Sequence, residues 1–454
     1  MIPEKNPGSS HADLLITGGI VLPMNGRPPI SEGGVAIRGD RILAVGERGE
    51  ICRTFTADRT LDKPAHLIMP GLVNTHTHAA MSLFRGLADD LPLMEWLNTY
   101  IFPAERRIDA GLVHLGTRLA CCEMIRTGTT TFKDMYLYED AVAEATALMG
   151  MRAVVGEVLY DFPSPNYGPF EEGLAYTRRM IEKWRGHPLV RVAVEPHSPY
   201  LCSPESLREA HRIAEDEQCP LVLHLAETRD EVEQIRQRYG TTPVRHLERL
   251  GILGPHVLAV HCVWLDEEEI RLLAEHQVKV AHCPESNMKL AAGIAPVPAL
   301  LRAGVTVGLG TDGCASNNNL DMFQEMDMAA KLHKVATGDP TVMDAPTVLA
   351  MATTEAARAL GLADEIGSLE PGKRADIICL DLNQPHLTPL YNIPSQLVYA
   401  ASGLDVDTVI VNGEILLSDR RFTRCDPQEI MEEVKRWAGT IREEILIPAL
   451  HAHP

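Results

Sequence analysis

The sequence predicts an α/β fold in which a (β/α)8 TIM barrel is inserted into a small, discontinuous β-sandwich domain. Between about residues 67 and 367, apolar runs of strand length alternate with longer helical patterns, while both ends of the chain contain short alternating runs broken by turn residues. Parallel strands joined by crossover helices close into a barrel when eight such units follow one another. A chain of 454 residues also suits one large domain and one small domain.

Eight apolar runs are predicted to be the barrel strands, because each has the length of a buried strand. They are His66–Met69, Gly128–Asp134, Arg152–Leu159, Arg191–Pro196, Leu221–Leu225, Val257–His261, Lys279–His282 and Thr306–Gly310. Helical patterns between them include Leu112–Arg126, Ser206–Glu217, Glu267–Glu275 and Val297–Ala303. We therefore assign residues 67–367 to the barrel.

The β-rich ends of the chain are predicted to form the small domain together. Their short alternating runs are Leu14–Thr17, Gly34–Arg38, Arg41–Val45, Ala375–Leu380, Val406–Val411 and Glu414–Leu417. The pair Asn412-Gly413 predicts a hairpin turn between the last two runs. We assign residues 1–66 and 368–425 to the β-sandwich, and residues 426–454 to a closing C-terminal helix.

Composition and charge exclude several classes of function. The chain has 62 acidic and 42 basic residues, a formal net charge of −20, which repels phosphate backbones and anionic membranes. It has no apolar run long enough for a transmembrane helix and no signal-peptide pattern. Ten cysteines without a CxxC pair suit a reducing compartment. We expect a cytoplasmic protein that binds neither nucleic acid nor membrane, and that forms a homo-oligomer as large barrels often do.

Ionisable residues stand at the ends of predicted barrel strands, where the active sites of this fold lie. His76 and His78 are two positions apart on an extended segment, so they point to the same side. His224 closes the fifth strand, and Asp312 follows the eighth. These four residues are predicted to bind one divalent metal ion. Imidazole and carboxylate ligands favour Zn²⁺, although iron or manganese would tolerate the same set.

Three residues are predicted to carry out the chemistry. A bound cation lowers the pKa of its water from about 15.7 towards about 7, which makes hydroxide available at neutral pH. Asp312 is the candidate acceptor of a proton from that water, and Glu227 is placed to move protons to a ring nitrogen and to a leaving amine. His261 is predicted to orient the hydroxide or to polarise the substituent of the attacked carbon, with weak metal ligation as the alternative. These groups suit attack on an sp² carbon that bears an amine.

Six segments carry a family resemblance. They read PGLVNTHTHAAMSLFRG, HSPYLCS, HLAET, HCVWL, SNMKLAAGIAPV and LGTDGCASNNNLDMF. Together they resemble the 5'-methylthioadenosine/S-adenosylhomocysteine deaminase branch of the amidohydrolase superfamily, over about residues 12–422. The resemblance implies one zinc ion and hydrolysis of an adenine nucleoside, which is 5'-methylthioadenosine, S-adenosylhomocysteine or adenosine, to the inosine-type product and ammonia.

Residue by residue, the resemblance implies metal ligation by His76, His78, His224 and Asp312, proton transfer by Glu227 and catalysis by His261. It also implies substrate contacts. Glu105 matches a carboxylate that accepts from the ribose hydroxyls, and His197 matches a histidine that contacts the nucleoside. Trp96 is a further candidate to close the pocket, and Glu227 and Asp312 are expected to contact the base.

Two departures from the family pattern are informative. Binuclear relatives have a bridging lysine at the end of strand four, where this chain has Val194-Glu195-Pro196-His197, so one metal ion is expected unless Glu195 bridges. Some relatives have an arginine after strand three that suits an amino-acid carboxylate, where this chain has Glu157. Because Glu157 would repel that carboxylate, we expect methylthioadenosine or adenosine to be preferred over S-adenosylhomocysteine.

Two alternatives remain. The same metal chemistry would serve an aminohydrolase or chlorohydrolase of a triazine or another nitrogen heterocycle. Glu105 distinguishes a nucleoside deaminase from a triazine hydrolase, because a triazine has no ribose for Glu105 to bind. A non-catalytic scaffold with this fold would normally lack a metal ligand or Glu227, and neither is missing.

Overall fold

The computed structural model describes residues 10–91, 95 and 97–443 of the chain. The fold is mixed α/β with parallel sheets, as the sequence predicted. Strands and helices alternate through the middle of the chain, and a mainly antiparallel β-structure is built from both ends. Within the described ranges, no helix combines the length and the apolar character needed to cross a lipid bilayer.

The strands are numbered in chain order. They are β1 Ser10–Thr17, β2 Ile20–Val21, β3 Gly33–Arg38, β4 Arg41–Glu47, β5 Phe55–Asp62, β6 His66–Pro70, β7 Leu72–Thr77, β8 Thr129–Tyr136, β9 Arg152–Leu159, β10 Val190–Val192, β11 Glu195–Pro196, β12 Leu221–Leu225, β13 Val257–His261, β14 Lys279–His282, β15 Val307–Leu309, β16 Ile377–Asp381, β17 Val406–Val411, β18 Glu414–Ser418 and β19 Arg421–Phe422.

The helices are numbered in the same way. They are α1 Arg48–Thr54, α2 Phe102–Glu105, α3 Ala110–Arg126, α4 Glu139–Met149, α5 Phe170–Trp184, α6 Pro204–Asp216, α7 Arg229–Tyr239, α8 Pro243–Arg249, α9 Glu267–Glu275, α10 Pro284–Lys289, α11 Val297–Arg302, α12 Met322–Thr337, α13 Ala345–Met351, α14 Thr354–Ala359, α15 Ile393–Tyr399 and α16 Pro427–Ile441. Short 3-10 or π-helical segments cover Ala79–Phe84, Leu97–Ile101, Pro385–Leu387 and Gly403–Asp405.

Two parallel sheets form the centre of the fold. One has the order β10-β9-β8-β7, with β11 beside β9, and the other has the order β12-β13-β14-β15. In the second sheet, His224 is opposite Val260 and Leu225 is opposite His261. Because parallel strands share one direction, the residues that end them lie at the same edge of the sheet. This register therefore places His224 and His261 close together.

Backbone and side-chain hydrogen bonds join the two parallel sheets along both of their outer strands. On one side, Val194 and Leu221 form a parallel bridge, and the amide of His224 donates to the carbonyl of His197 at 2.9 Å. On the other side, the Thr75 hydroxyl donates to the carbonyl of Leu309 at 2.9 Å. The sheets thus meet edge to edge on both sides, and their strand ends surround one region.

The two ends of the chain build a pair of sheets beside this centre. One sheet combines strands from both ends in the order β19-β18-β17-β16-β6-β2, and the other has the order β4-β3-β1-β5. Apolar side chains of both sheets pack in one cluster that includes Ile16, Ile37, Ile68 and Ile377. The predicted hairpin turn is confirmed, because Asn412-Gly413 joins β17 to β18 with φ angles of 53° and 81°.

The sequence assigned the segment His66–Met69 to the barrel, and this assignment is wrong. Strand β6 pairs antiparallel with β16 in the six-stranded sheet, and the first strand of the two central parallel sheets is β7. Gly71 alone separates β6 from β7, and a Cβ atom there would lie 2.1 Å from the side chain of Thr130. An apolar run shows that a strand is buried, but it does not show which sheet the strand enters.

The closing C-terminal helix was predicted over residues 426–454. Helix α16 begins at Pro427, where the Asp426 side chain caps it by accepting from the amide of Gln428, and it ends at Ile441. The remainder of the prediction, residues 444–454, lies outside the described residues.

A buried ion pair ties strand β9 to the six-stranded sheet. The Nε and Nη2 atoms of Arg152 donate to Asp376 at 2.8 and 3.0 Å, and both side chains are almost fully buried. We expect Arg152→Ala to lower the free energy of unfolding by about 3–5 kcal/mol, because it leaves a buried carboxylate without its counter-charge. Urea denaturation measures the loss. The double variant Arg152→Met/Asp376→Leu should recover most of it, and a double variant as unstable as the single one would contradict this account.

Candidate metal centre and active site

Histidines from three strands meet at one edge of the parallel sheets. His76 lies on β7, His224 lies on β12, His261 ends β13, and His78 follows β7 directly. The ring centroids of His78, His224 and His261 lie 4.8, 5.1 and 5.8 Å from that of His76. The structure therefore brings together the histidines that the sequence predicted for one site.

Asp312, three residues beyond β15, faces these rings. Its Oδ1 lies 3.1 Å from Nε2 of His78 and 3.4 Å from Nε2 of His76, and its Oδ2 lies 4.0 Å from Nε2 of His261. Burial opposes ionisation, yet the neighbouring imidazoles of His76 and His78 hold the pKa of Asp312 well below its usual range. The carboxylate is thus an ionised acceptor among the histidines.

The donor atoms of this cluster fit a divalent metal ion. Those of His76, His224 and His261 lie within 4.8 Å of one another, and so do those of His76, His78 and Asp312. Among the residues that the structure describes, neither ring nitrogen of the buried His76 has a hydrogen-bond partner. An unpaired polar group in the interior is costly unless something binds it. Imidazole and carboxylate donors suit Zn²⁺.

Oxygen acceptors fix the orientation of three of the rings. The Nδ1–H of His224 donates to the carbonyl of His197 at 3.0 Å, and that of His78 donates to the carbonyl of Met135. Nδ1 of His261 donates to Oδ1 of Asn287 at 3.0 Å. Each bond places the proton on Nδ1 and leaves the lone pair of Nε2 available to a metal ion or a substrate.

Backbone strain is concentrated where the candidate residues leave their strands. Ala226, His261, Cys262 and Asp312 have φ angles of 52°, 73°, 49° and 60°. These left-handed conformations are unfavourable for residues other than glycine, and they persist at functional sites because the surrounding structure holds them. The strain marks the same strand ends that the sequence singled out.

Glu227 lies beside the histidine cluster. Its Oε2 is 3.8 Å from Nε2 of His261. Burial raises the pKa of Glu227, and His261 partly offsets this effect. A carboxyl group with a raised pKa at such a site suits proton transfer near neutral pH. Glu231 holds the loop in place, since its carboxylate accepts from the amides of Ala226 and Glu227 at 2.9 and 2.7 Å.

His197 packs against the cluster from the end of β11. Its ring centroid lies 4.6 Å from that of His224, and its Nδ1 lies 2.9 Å from the hydroxyl of Ser198. Burial lowers the pKa of His197 to about 3, and the neighbouring imidazoles of His78 and His261 add to this effect. The imidazole is therefore neutral and can hydrogen-bond to an uncharged ligand.

Glu105, the last residue of α2, is linked to the cluster through Tyr136. The Tyr136 hydroxyl donates to Oε1 of Glu105 at 2.9 Å, and the Tyr136 ring centroid lies 6.2 Å from that of His78. Burial raises the pKa of Glu105 to about 7, against the opposing hydrogen bond from Tyr136. The bond to Tyr136 holds the carboxyl group close to the cluster.

The structure contradicts the role predicted for Glu157. The side chain is fully buried, and its two oxygens accept from the amide of Glu139, at the start of α4, and from the side chain of Asn166, both at 2.9 Å. Burial raises the pKa of Glu157 to about 8. A carboxyl group enclosed in this way does not face a substrate carboxylate, so it gives no reason for the expected substrate preference.

Two further expectations concern single residues. Glu195, considered as a bridging ligand, instead forms a fully buried ion pair with Lys133 on β8, with Nζ and Oε2 2.9 Å apart. Trp96, predicted to close the pocket, lies outside the described residues.

Sequence reasoning missed four residues that support the cluster, namely Tyr136, Glu231, Ser286 and Asn287. The Ser286 hydroxyl donates to Oδ2 of Asp312 at 2.6 Å. Only Glu231 had a signal of its own, because Thr228 and Glu231 have the spacing of a capping box, and the Thr228 side chain accepts from the Glu231 amide. The others carry polar groups that no periodicity distinguishes.

With this geometry, comparison with known proteins identifies the class. Residues 67–416 match the amidohydrolase family, and the chain belongs to that family. Among its relatives, a 5-methylthioadenosine/S-adenosylhomocysteine deaminase of Syntrophobacter fumaroxidans is 57% identical over 437 residues, which cover 96% of this chain and 100% of the relative. A 5'-deoxyadenosine deaminase of Methanothermobacter thermautotrophicus is 47% identical over 424 residues, which cover 93% and 97% of the two chains.

A solved structure is similar over nearly the whole chain. The crystal structure of an adenosine deaminase from Xanthomonas campestris with bound zinc is 41% identical in sequence and superimposes with a TM-score of 0.95. The match covers 96% of this chain and 100% of that one.

Proposed function

We propose that this protein is a zinc-dependent hydrolase that removes the 6-amino group of an adenine nucleoside as ammonia and leaves the inosine-type product. The observation that carries the proposal is the meeting of His76, His78, His224 and Asp312 beside Glu227. This arrangement combines a metal-binding donor set with a buried proton-transfer group. The deaminase relatives and the zinc-bound neighbour support the same reaction and the same ion.

The residues divide the reaction between them. When bound, the ion would supply a water molecule acidic enough to attack an sp² carbon near neutral pH. Asp312 accepts a proton from the attacking water, because its carboxylate faces the histidine cluster. Glu227 carries a proton to the ring nitrogen and then to the leaving amine. His261, fixed by Asn287, orients the attacking water through Nε2.

The substrate is held on two sides. Glu105 accepts from the paired ribose hydroxyls, since a carboxylate offers two acceptor oxygens, and the neutral His197 contacts the base. The substrate is 5'-methylthioadenosine, adenosine or S-adenosylhomocysteine. Trp96 stays a prediction for the wall of the pocket.

We also propose that the two parallel sheets form one (β/α)8 barrel and that the sheets built from the chain ends form a β-sandwich domain. The hydrogen bonds along both outer strands support the first statement, and the shared apolar cluster supports the second. We place the barrel between Leu72 and about residue 367, and we retain residues 426–454 as the closing segment. Assembly as a homo-oligomer in the cytoplasm remains an expectation, which light scattering and cell fractionation can test.

Loss of adenine absorbance tests the reaction. Zinc-loaded protein is mixed with methylthioadenosine, S-adenosylhomocysteine and adenosine, and ammonia release is measured in parallel. Stoichiometric ammonia with any of the three supports the proposal. Turnover of an aminotriazine or chlorotriazine, with none of the nucleosides consumed, would move the function to the triazine alternative.

Glu105→Gln is expected to lower kcat/KM for adenosine about 10²-fold, because hydrogen bonds to a charged acceptor are worth about 1.5–3 kcal/mol each. Steady-state kinetics with adenosine and with 2',3'-dideoxyadenosine measure the effect. The dideoxy compound should lose less than about threefold on the same substitution, since it has no hydroxyls to offer. Equal losses for both substrates would show that Glu105 does not bind the ribose.

A further inference from the structure

A row of rings leads outward from the metal-ligand cluster. From His224 the ring centroids step 4.6 Å to His197, then 6.5 Å to Tyr160, then 4.0 Å to Phe162. Tyr160 and Phe162 are stacked face to face, with 10° between their planes. We call His197, Tyr160 and Phe162 the aromatic row.

The aromatic row begins on the strand next to the one that holds Glu105. Tyr136, which donates to Glu105, is opposite Glu157 of the neighbouring strand β9, and Tyr160 follows β9 directly. Adjacent strand ends therefore carry the ribose-binding candidate and the start of the row. Beyond Tyr160, the row ends at Phe162, whose side chain is 44% exposed although it is large and apolar.

The loop that carries Phe162 is held in place on both sides. Ser164 and Gly168 exchange two backbone hydrogen bonds, at 2.8 and 3.0 Å. The side chain of Asp161 accepts from the amide of Ser203 at 2.7 Å, and the Asp161 amide donates to the carbonyl of Leu201 at 3.2 Å. These bonds present the exposed Phe162 ring on a fixed backbone next to the His197 segment.

The charges beside the aromatic row indicate which 5' substituents of a nucleoside would bind there. Residues 160–169 and 197–203 contain no lysine or arginine, and the acid Asp161 is the charged residue in them. An amino-acid tail would lose the hydration of its carboxylate here without gaining a cation from these two segments. A short alkylthio or methyl group would instead cover apolar ring surface, which is favourable.

We propose that Tyr160 and Phe162 are the specificity-determining residues for the 5' substituent, and that they select nucleosides with short, uncharged, apolar 5' groups. This inference rests on the proposed function, because it orients the nucleoside with its base at the metal-ligand cluster and its ribose at Glu105. In that orientation the 5' carbon points along the aromatic row towards Phe162. The preference thus comes from apolar contact and not from Glu157.

Phe162→Ala tests this assignment. The substitution is expected to lower kcat/KM for methylthioadenosine about tenfold, which is the effect of losing one apolar contact in a binding pocket. For adenosine, which has no alkylthio group, kcat/KM should fall less than about threefold. Tyr391→Ala is the matched control, because Tyr391 is 92% exposed and lies outside the site; it should change neither value. Equal losses for the two substrates, or none, would overturn the assignment.

Phe162→Arg gives an independent gain-of-function readout. It places a guanidinium where the tail of S-adenosylhomocysteine would lie, so the ratio of kcat/KM for that substrate to kcat/KM for methylthioadenosine should rise at least about tenfold. A ratio that stays constant would count against the assignment even if Phe162→Ala were poorly folded.

Calorimetric binding of methylthioadenosine separates this inference from the proposed function. If the native protein binds the compound without deaminating it, and Phe162→Ala weakens binding about tenfold, the proposed reaction fails while the aromatic subsite stands. If the native protein deaminates methylthioadenosine and Phe162→Ala binds it equally well, the subsite fails alone. If the native protein neither binds nor deaminates it, the aromatic subsite is refuted, and the ammonia assay with adenosine and S-adenosylhomocysteine decides the proposed reaction.

Discussion

Glu227→Gln is expected to reduce kcat for nucleoside deamination by at least about 10³-fold, the upper part of the range for a lost general acid–base group. The amide keeps the shape of the side chain but cannot carry a proton between the attacking water, the ring nitrogen and the leaving amine. Because Glu227 lies next to His261 and is not among the candidate metal ligands, zinc content and binding of the product should be retained. Stopped assays of ammonia release together with metal analysis measure both properties.

Glu233→Gln is the matched control, since Glu233 is an exposed residue of α7, the helix that begins two residues after Glu227. It should keep full activity. A Glu227→Gln protein with more than a tenth of native kcat would remove Glu227 from the reaction. Loss of zinc in that variant would instead assign Glu227 a role in metal binding.

His76→Leu is expected to have opposite effects on stability with and without zinc. Without the ion, the native protein buries an imidazole that has no hydrogen-bond partner among the described residues. Replacing that ring by an apolar side chain should therefore raise the free energy of unfolding by about 1–3 kcal/mol. With zinc at about 100 times its Kd, the native protein gains about 2.7 kcal/mol, and the variant gains little and has no activity.

Chemical denaturation of both proteins, before and after addition of zinc, measures this crossing. Magnesium is the control ion. Because it prefers oxygen ligands, it should stabilise both proteins less than zinc stabilises the native protein. A His76→Leu protein that is less stable than the native one in both conditions would show that His76 is an ordinary core residue.

The sequence predicted the position of the site more reliably than it predicted the contacts around the site. His76, His78, His224 and Asp312 could be predicted because each follows a recognisable apolar run, and strand ends of a parallel sheet share one edge. Their partners could not. The hydroxyl of Ser286 and the amide of Asn287 reach Asp312 and His261 from the next helix, α10, and only the three-dimensional packing shows that contact.

The failed expectations have a common cause. The run at His66–Met69 has the apolar character of a barrel strand, but its hydrogen-bonding partner is β16, more than 300 residues away in the chain. Glu157 lies on the expected strand, β9. Because that strand is buried on both faces, its sequence does not show which side chains face the pocket and which face a helix. Sequence patterns indicate which residues are buried and how they are spaced. Which strands pair, and which way a side chain points, depends on the whole fold.

Gly71, the single residue between β6 and β7, limits insertions and deletions at this point of the chain. Strand β6 belongs to the six-stranded sheet, strand β7 carries the first metal-ligand candidates, and a single residue lies between them. One residue added or removed there would shift β7 by half of its two-residue period and exchange its two faces. His76 and His78 would then turn away from His224. The small sheet at the chain ends therefore sets the phase of the strand on which the chemistry depends, although it contributes no residue to the site.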